Sequence, residues 1–261
     1  MKKSFLIMLS GLFILLACIA FPTSASADTT TSASGTTNEC KWSLNSERLV
    51  IEPLDGKSGK FSDWSDIQSK VPDYLTTIYS VSFKKGVILD STHLDFKGWQ
   101  RLHIVDLSGL DTSKLTDMSS MFYQCSDLEE INYMDTSKVT TMREFAYNCR
   151  KLKKVSSLDL SSCKNVGSML SYCYNLEEAE GFLNLGKAYS TDMAENYSNY
   201  TLDLRDCRLL THDSLLNIIN NLYNIKKMGC KTQKLWLGSI NLEKLTADEI
   251  ALATNKGWNV T

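Results

Sequence analysis

The chain has 261 residues, 43% of them hydrophobic, and a formal net charge of −2, which is enough apolar material for one extended folded domain. Its charges are scattered and nearly balanced, without the basic stripe that nucleic acid binding requires, so no nucleic acid partner is expected. No Cys-x-x-Cys pair, Gly-x-Ser-x-Gly elbow or Gly-rich phosphate loop occurs, so neither catalysis, a cofactor nor a metal is expected.

Residues 1–27 read as a secretory signal peptide. Lys2 and Lys3 form the positive end, residues 5–20 the apolar run, and Ala25-Ser-Ala27 a small-residue cleavage site. The run is short for a transmembrane anchor, so no membrane insertion is expected after cleavage and the protein should be extracellular, free or at the cell surface. The alternative is lipid attachment at Cys18 in Leu15-Leu-Ala-Cys18, disfavoured by the apolar Ile19-Ala-Phe21 that follows. Cleavage removes two of 28 basic residues and none of 30 acidic ones, leaving a charge of −4 and seven of eight cysteines.

Residues 28–39 are small and polar and predict a flexible linker. Residues 40–100 predict an N-terminal cap over the first repeat. Within it, apolar alternation around Asn45-Ser46 predicts a hairpin, and Phe61, Trp64, Ile67 and Val71 a short amphipathic helix ending before Pro72. Strand-like pieces follow at 79–83 and 87–89.

Residues 101–210 contain internal repeats. DTSKLTDM at 111–118 returns as DTSKVTTM at 135–142, and each is followed by a matching half, MFYQCSDL at 121–128 and FAYNCRKL at 145–152. A worn third copy ends in Cys173 and Leu176. Cysteines at 125, 149 and 173 and leucines at 128, 152 and 176 share a spacing of 24, within the range of leucine-rich repeats. The Met-x-x-Met/Phe spacing predicts a short helical segment in each copy. The Leu-x-Leu pieces at 102–107, 158–160 and 202–204 predict strands with leucines inward and Asp106, Asp159 and Asp203 outward. The fold class expected is α/β: a leucine-rich-repeat solenoid of short parallel strands and short helices with non-repeat N- and C-terminal caps.

The stretch DLSGLDTSKLTDMSSMFYQCSDLEEI resembles the BspA-like leucine-rich repeat of bacterial surface proteins, a repeat also found in Mycoplasma lipoproteins. The resemblance covers 102–176 well and most of the mature chain more loosely. It implies a secreted or surface-attached, non-enzymatic protein of adhesin or host-contact type, and names no ligand.

Residues 211–261 predict a last repeat and a helical cap. Leu215, Leu216, Ile218, Ile219, Leu222, Tyr223 and Ile225 form one stripe, with Asp213 or Ser214 available as N-cap. Residues 235–238 resume a strand, and Thr246-Ala-Asp-Glu249 is a capping box opening a helix that Gly257 closes.

Cys125, Cys149 and Cys173 predict a buried, unbridged ladder, and Cys163 and Cys207 read as equivalent positions behind Leu-Asp-Leu. Cys40 and Cys230 fall in the caps, where disulfides are open in an exported protein. Arg150, Lys151, Lys153 and Lys154 form the one dense basic cluster, a solvated face or an anion contact. His212-Asp213-Ser214 are chain neighbours at a helix start and suit capping, not a triad.

Binding is expected on the strand face, through side chains between and after the inward leucines: His103, Asp106, Asn132, Ser157, Asp159, Asp203 and Arg205. The functional expectation is adhesin-like binding of a host or cell-surface macromolecule, with a protein as partner. The alternative is a structural or accessory envelope protein, or a lipid-anchored lipoprotein, that uses the solenoid for assembly.

Overall fold

The computed structural model describes residues 32–261, so the signal segment and Cys18 lie outside the described residues. The chain opens on an antiparallel meander of β1 (Ser32–Thr37), β2 (Cys40–Asn45) and β3 (Arg48–Pro53). Ser46 and Glu47 join β2 to β3 with φ of 48° and 68°, the primed turn whose twist suits a two-residue hairpin. β1 departs from the flexible linker expected over 28–39. Its residues have little strand propensity, but Asn38 tolerates the left-handed turn into β2 (φ 52°). Gly35 lies opposite Trp42, and a Cβ there would collide with Asp66. The missing side chain leaves room for Trp42 Nε1 to donate to Asp66 Oδ2 at 2.8 Å.

The chain continues through β4 (Gly59–Phe61), α1 (Ser65–Lys70), the single turn α2 (Tyr74–Thr77), β5 (Ser80–Phe83), β6 (Val87–Leu89), β7 (Ile104–Asp106) and β8 (Leu110–Asp111). Pairing is now parallel: β3 with β5 and β5 with β7 in one sheet, β4 with β6 and β6 with β8 in another. The block read as an N-terminal cap therefore already winds like the repeats, and within it only the β1–β2 and β2–β3 pairings are antiparallel.

Each repeat adds very short strands to these faces: β9 (Glu130–Ile131), β10 (Lys154–Val155), β11 (Leu158–Asp159), β12 (Glu178–Ala179) and β13 (Phe182–Leu183). β9, β10 and β12 pair in parallel with Glu130, Lys154 and Glu178 in one column and Ile131, Val155 and Ala179 in the next. β11 pairs with β13 on a separate face. Parallel bridges also join His93, Asp117, Thr141 and Asn165, each 24 residues from the last. Successive turns of chain thus lie on one another in register, because each offers the next the same donors and acceptors at the same height.

The halves expected to be helical are not. Residues 118–125 run as consecutive tight turns in which alternate amides point two ways. Met121, Tyr123 and Cys125 donate to the carbonyls of Met118, Ser120 and Phe122 within their own turns. Met118, Ser120, Phe122 and Gln124 donate to Thr141, Arg143, Phe145 and Tyr147 in the next copy, at 2.7–3.0 Å. Ser120, Gln124, Glu144, Asn148, Ser168 and Tyr172 all have positive φ (55–65°), which breaks the helical path. The strain of non-glycine residues there is offset by a hydrogen bond to the neighbouring copy at nearly every second amide. The same Met and Phe residues still point inward: Met118, Met121, Phe122, Met142, Phe145 and Met169 are at most 1% exposed. Each such side chain contributes about 1.5–3 kcal/mol on burial.

The thiol ladder runs down this core. Cys125, Cys149 and Cys173 are wholly buried and unbridged, and their Sγ atoms donate to the carbonyls of Phe96, Phe122 and Ala146 at 3.0–3.1 Å. Cys207 continues the column by donating to Leu170 at 3.5 Å. Cys163 does not match it: by the 24-residue spacing it shares the inward column of Leu115 and Val139, and its Sγ reaches Asn165 O. All seven described cysteines are free.

The C-terminal end comprises β14 (Leu202–Asp203), α3 (His212–Asn221), β15 (Gln233–Trp236), α4 (Gly238–Leu242), α5 (Ala247–Asn255) and β16 (Trp258–Val260), with β14, β15 and β16 parallel. α3 lies against β12 and β13 and buries Leu215, Ile218 and Ile219. Its N-cap is Thr211, ahead of the Asp213 or Ser214 expected: Thr211 is extended, and its side chain accepts from Ser214 N at 3.2 Å. α5 has the expected capping box, with Thr246 and Glu249 bonded reciprocally, and Gly257 just beyond it has φ of 94°. Lys256 Nζ donates to Ile219 O and Asn220 O at 3.0 and 2.7 Å, a cation on the carbonyl end of α3.

Candidate functional site

The structure does not bring the seven expected binding residues into one row. The three Leu-x-Leu pieces lie on different faces of the winding: 104–106 on β7, 158–159 on β11 and 202–203 on β14 belong to three separate sheets. The piece at 102–107 also breaks the expected alternation, since Leu102 and Val105 are buried while Ile104 is 43% exposed.

His103 stacks on Tyr79 at 4.9 Å, with Nε2 3.6 Å from Glu129 Oε1. Asn132 follows β9 and lines a cleft of about 20 Å³, where β7 and β9 fail to pair, beside Tyr133, which is 76% exposed. Ser157 sits half-buried between β10 and β11. Asp106, Asp159 and Asp203 share a local task rather than a surface. Each side chain accepts from the amide two residues on, Ser108, Ser161 and Arg205, at 2.9–3.2 Å, the Asx turn that sets the chain's direction. Asp111 and Asp135 do the same for Ser113 and Ser137. Both carboxyls lie below their ordinary range, Asp111 through the Ser113 amide and then its hydroxyl, Asp135 through the Ser137 hydroxyl and then its amide.

The three lysines of the basic cluster are paired with acids from adjoining turns of chain. Lys151 pairs with Asp127 at 2.8 Å, Lys153 with Glu129 at 3.1 Å, and Lys154 with both Glu178 and Glu180 at 3.2 and 2.9 Å. Arg150 Nε donates to Asn148 Oδ1. That leaves alternating exposed ion pairs down the β9–β10–β12 face, each worth little, and no concentrated field for an anion.

Another face carries features that sequence reasoning missed. The tight-turn segments present Tyr123 and Tyr147 stacked at 5.0 Å and 5°, then Tyr172 edge-on to Tyr147 at 5.1 Å, and Tyr174 at 6.0 Å from Tyr172. Lys97 Nζ sits 4.9 Å over Tyr123. Partial desolvation, then the neighbouring Tyr172, raises the Tyr147 hydroxyl above its ordinary pKa. The 24-residue spacing of Tyr123 and Tyr147 is visible in the sequence; Tyr172 arrives one residue late, which hides the row.

At the end of this ridge Tyr172 N donates to Asp206 Oδ2 at 3.2 Å, and an open groove of about 270 Å³ follows. Ser168, Asn196, Ser198, Thr201, Asp203, Lys234 and Trp236 line it. Arg205 holds Asp203 through two bonds, Nε to Oδ1 at 2.9 Å and Nη2 to Oδ2 at 2.8 Å, which raise the guanidinium pKa. The same guanidinium lies 3.0 Å from the centre of the Trp236 ring, and Lys234 Nζ lies at 4.7 Å. Asp203 thus lines the groove and Arg205 touches it through Asp203 and Trp236, so these two expected site residues do meet. The step between copies lengthens here: Cys173 and Cys207 are neighbours in the thiol ladder although 34 residues apart. The added chain supplies Asn196 and Ser198 to the groove wall while burying Leu185, Tyr189 and Met193.

Among the described residues no group of three or more His, Cys, Asp or Glu side chains is placed to hold a metal ion. No described helix is long and apolar enough to cross a membrane.

Residues 92–205 match the family described as "Mycoplasma protein of unknown function, DUF285". The match spans the three repeats and the ridge, and stops at Arg205. No curated protein and no solved structure matches the chain.

Proposed function

We propose that this chain is a BspA-like leucine-rich-repeat solenoid, exported and free or held at a bacterial surface, that binds a host or cell-surface macromolecule and carries out no chemistry. One observation carries the reading: turns of chain stacked in register at 24-residue steps multiply each outward side chain into a row. A row of like groups on a rigid stack suits an extended ligand. The ridge and the groove at Trp236 are open surfaces of that kind. The similarity of residues 92–205 to a Mycoplasma family supports the same reading, because the BspA-like repeat occurs in surface proteins of such organisms.

The test uses purified residues 28–261, immobilised and exposed to host matrix and to cell-wall fractions. Saturable retention of a macromolecule is expected. Failure to retain anything from either fraction removes the binding reading. Fractionation of producing cells tests the location: recovery in the medium or on the cell exterior is expected, and recovery in the cytoplasm contradicts it. Release from the membrane by Cys18→Ser would favour the lipid-anchored alternative.

A further inference from the structure

We propose that the groove at Trp236 and the tyrosine ridge leading from it form one glycan-binding track, in which a sugar ring occupies the groove and the chain runs on over Tyr172 and Tyr147. This rests on the binding reading above and names its ligand class.

The groove is sized for a small ligand. Its volume of about 270 Å³ lies near the lower end of small-molecule sites and accommodates one ring with its substituents. Its walls mix an indole with hydroxyls, a carboxylate and an ammonium. An apolar side chain placed there would strip water from Ser168, Ser198 and Lys234 and return no hydrogen bonds. A pyranose carries hydroxyls that both donate and accept around its rim, with C–H groups between them, so it suits such a lining. Its C–H groups meet the part of the indole that faces the groove, the ring's face being held by Arg205 and Lys234. Net charge does not select the ligand either, since Asp203 and Arg205 neutralise each other and leave only Lys234.

The ridge extends the argument. A bound peptide strand needs free backbone donors and acceptors, but the amides here are committed. Those of Gln124, Glu144 and Asn148 go to the next copy, and those of Tyr123 and Tyr147 to their own turns. Strand addition is thereby excluded, and recognition along this face rests on side chains, chiefly the rings and hydroxyls of the ridge. Tyr123 and Tyr147 stack on each other at 5.0 Å and 5°, so a ligand meets their edges and hydroxyls, spaced by about the advance of one sugar ring along an extended glycan. Groove and ridge are joined in the chain itself, because Ser168 of the groove and Tyr172 of the ridge share one tight-turn segment.

Trp236 supplies the readout. The other described tryptophans, Trp42, Trp64, Trp99 and Trp258, are buried, so a ligand-dependent change in fluorescence reports the groove. The experiment retains residues 28–261 on a cell-wall or matrix fraction before and after periodate oxidation, which cleaves vicinal diols. It does the same before and after digestion with lysozyme and hyaluronidase, which cut chains whose N-acetylhexosamines lack such diols. It then titrates the protein with N-acetylglucosamine hexamer, cellohexaose and hyaluronan hexamer while following tryptophan emission. Expected are retention that periodate or one of the glycosidases abolishes and a saturable emission change with at least one of the three oligosaccharides. Retention, and the affinity measured by calorimetry because this variant lacks the reporting ring, should weaken about tenfold or more in Trp236→Ala, the loss typical of truncating an aromatic anchor. If Trp236→Ala does not fold, as judged by circular dichroism, the exposed Tyr172→Ser and Lys234→Ala replace it, with the same expected direction. Response to the hyaluronan hexamer alone would place the preference on acidic glycans. Retention that survives periodate and both glycosidases overturns the glycan track while leaving a protein-binding function standing. Failure of all three oligosaccharides to change the emission, or glycan binding unaltered by all the variants, also overturns it. No retention at all defeats the binding reading itself.

Discussion

Asn241 repeats, in the last turn of chain, the bond made by Cys207 in the one before. Its Nδ2 donates to the Leu204 carbonyl at 3.2 Å, as Cys207 Sγ donates to that of Leu170 at 3.5 Å. Asn241 is 34 residues beyond Cys207, the same lengthened step that separates Cys207 from Cys173. It is wholly buried and also serves the carbonyls of Cys207 and Leu237, while Lys244 Nζ donates to its Oδ1 at 3.0 Å. Asn241→Ala orphans these groups and is expected to cost about 1–3 kcal/mol in urea denaturation. Asn241→Cys, which restores the thiol of the ladder, should cost less. Equal losses in the two variants would contradict the equivalence.

The thiol ladder should be inert in the native protein. Burial pushes Cys173 up to about 12 and Cys163 and Cys40 to about 11, and raises Cys125, Cys149 and Cys207 as well. Reactivity requires the thiolate. A thiol reagent added to folded residues 28–261 is expected to label Cys230, the one cysteine not fully buried, well before the others. Rapid labelling of the ladder without denaturant would mean that the core opens readily.

The contact between α3 and α5 should depend on pH through one pair. His212 Nε2 lies 2.9 Å from Glu249 Oε1, and Nδ1 lies 3.3 Å from Asp213 Oδ1. Glu249, then Asp213, raises His212 above its ordinary 6.5. The Thr246 amide and hydroxyl, then His212, hold Glu249 below its ordinary 4.5. A raised imidazole stabilises fully below 6.5 and loses that contribution as pH climbs through its folded value. A lowered carboxyl stabilises above 4.5 and loses it as pH falls through its folded value. The difference in Tm between the protein and His212→Ala should therefore be largest between these limits and shrink on either side. A difference that grows with alkalinity would refute the pairing.

Thr246→Ala removes the acceptor for Glu249 N and is expected to cost about 1 kcal/mol. The loss should be felt as faster hydrogen exchange over 247–256 rather than as global unfolding. Unchanged exchange in that segment would mean that α5 is held by its packing alone.

What could be read before the structure was known divides along physical lines. The register was legible because a core repeats its side chains: Met118 and Met142, or Cys125, Cys149 and Cys173, announce stacking by spacing alone. The path between them was not, because Met-x-x-Met spacing fits a helix and a run of tight turns equally well. The positive φ at Ser120 and Gln124 has no glycine to signal it. Cys207 escaped the ladder because its step changed from 24 to 34. The basic cluster misled in the opposite way, since each lysine finds its acid one copy away, Lys151 with Asp127 and Lys153 with Glu129. In a stacked repeat, charge must be read across the copies as well as along the chain.

The same lesson bears on the outward carboxylates. In the column of parallel bridges, Asp117 accepts from Ser119 N, Thr141 from Arg143 N and Asn165 from Gly167 N, at 2.8, 3.4 and 3.0 Å. Three side chains do one job, and only one is charged, so the turn needs an acceptor rather than an anion. Asp159, which accepts from Ser161 N at 2.9 Å, should follow the same rule. Asp159→Asn is expected to stay within about 0.5 kcal/mol of the parent, while Asp159→Ala should lose about 0.5–1.5 kcal/mol, both measured by denaturant unfolding. If Asn costs as much as Ala, the charge itself matters and the turn account fails. The Asn forms of Asp106, Asp159 and Asp203 are then the variants to assay against any ligand, because they remove charge from the surface while leaving each turn its acceptor.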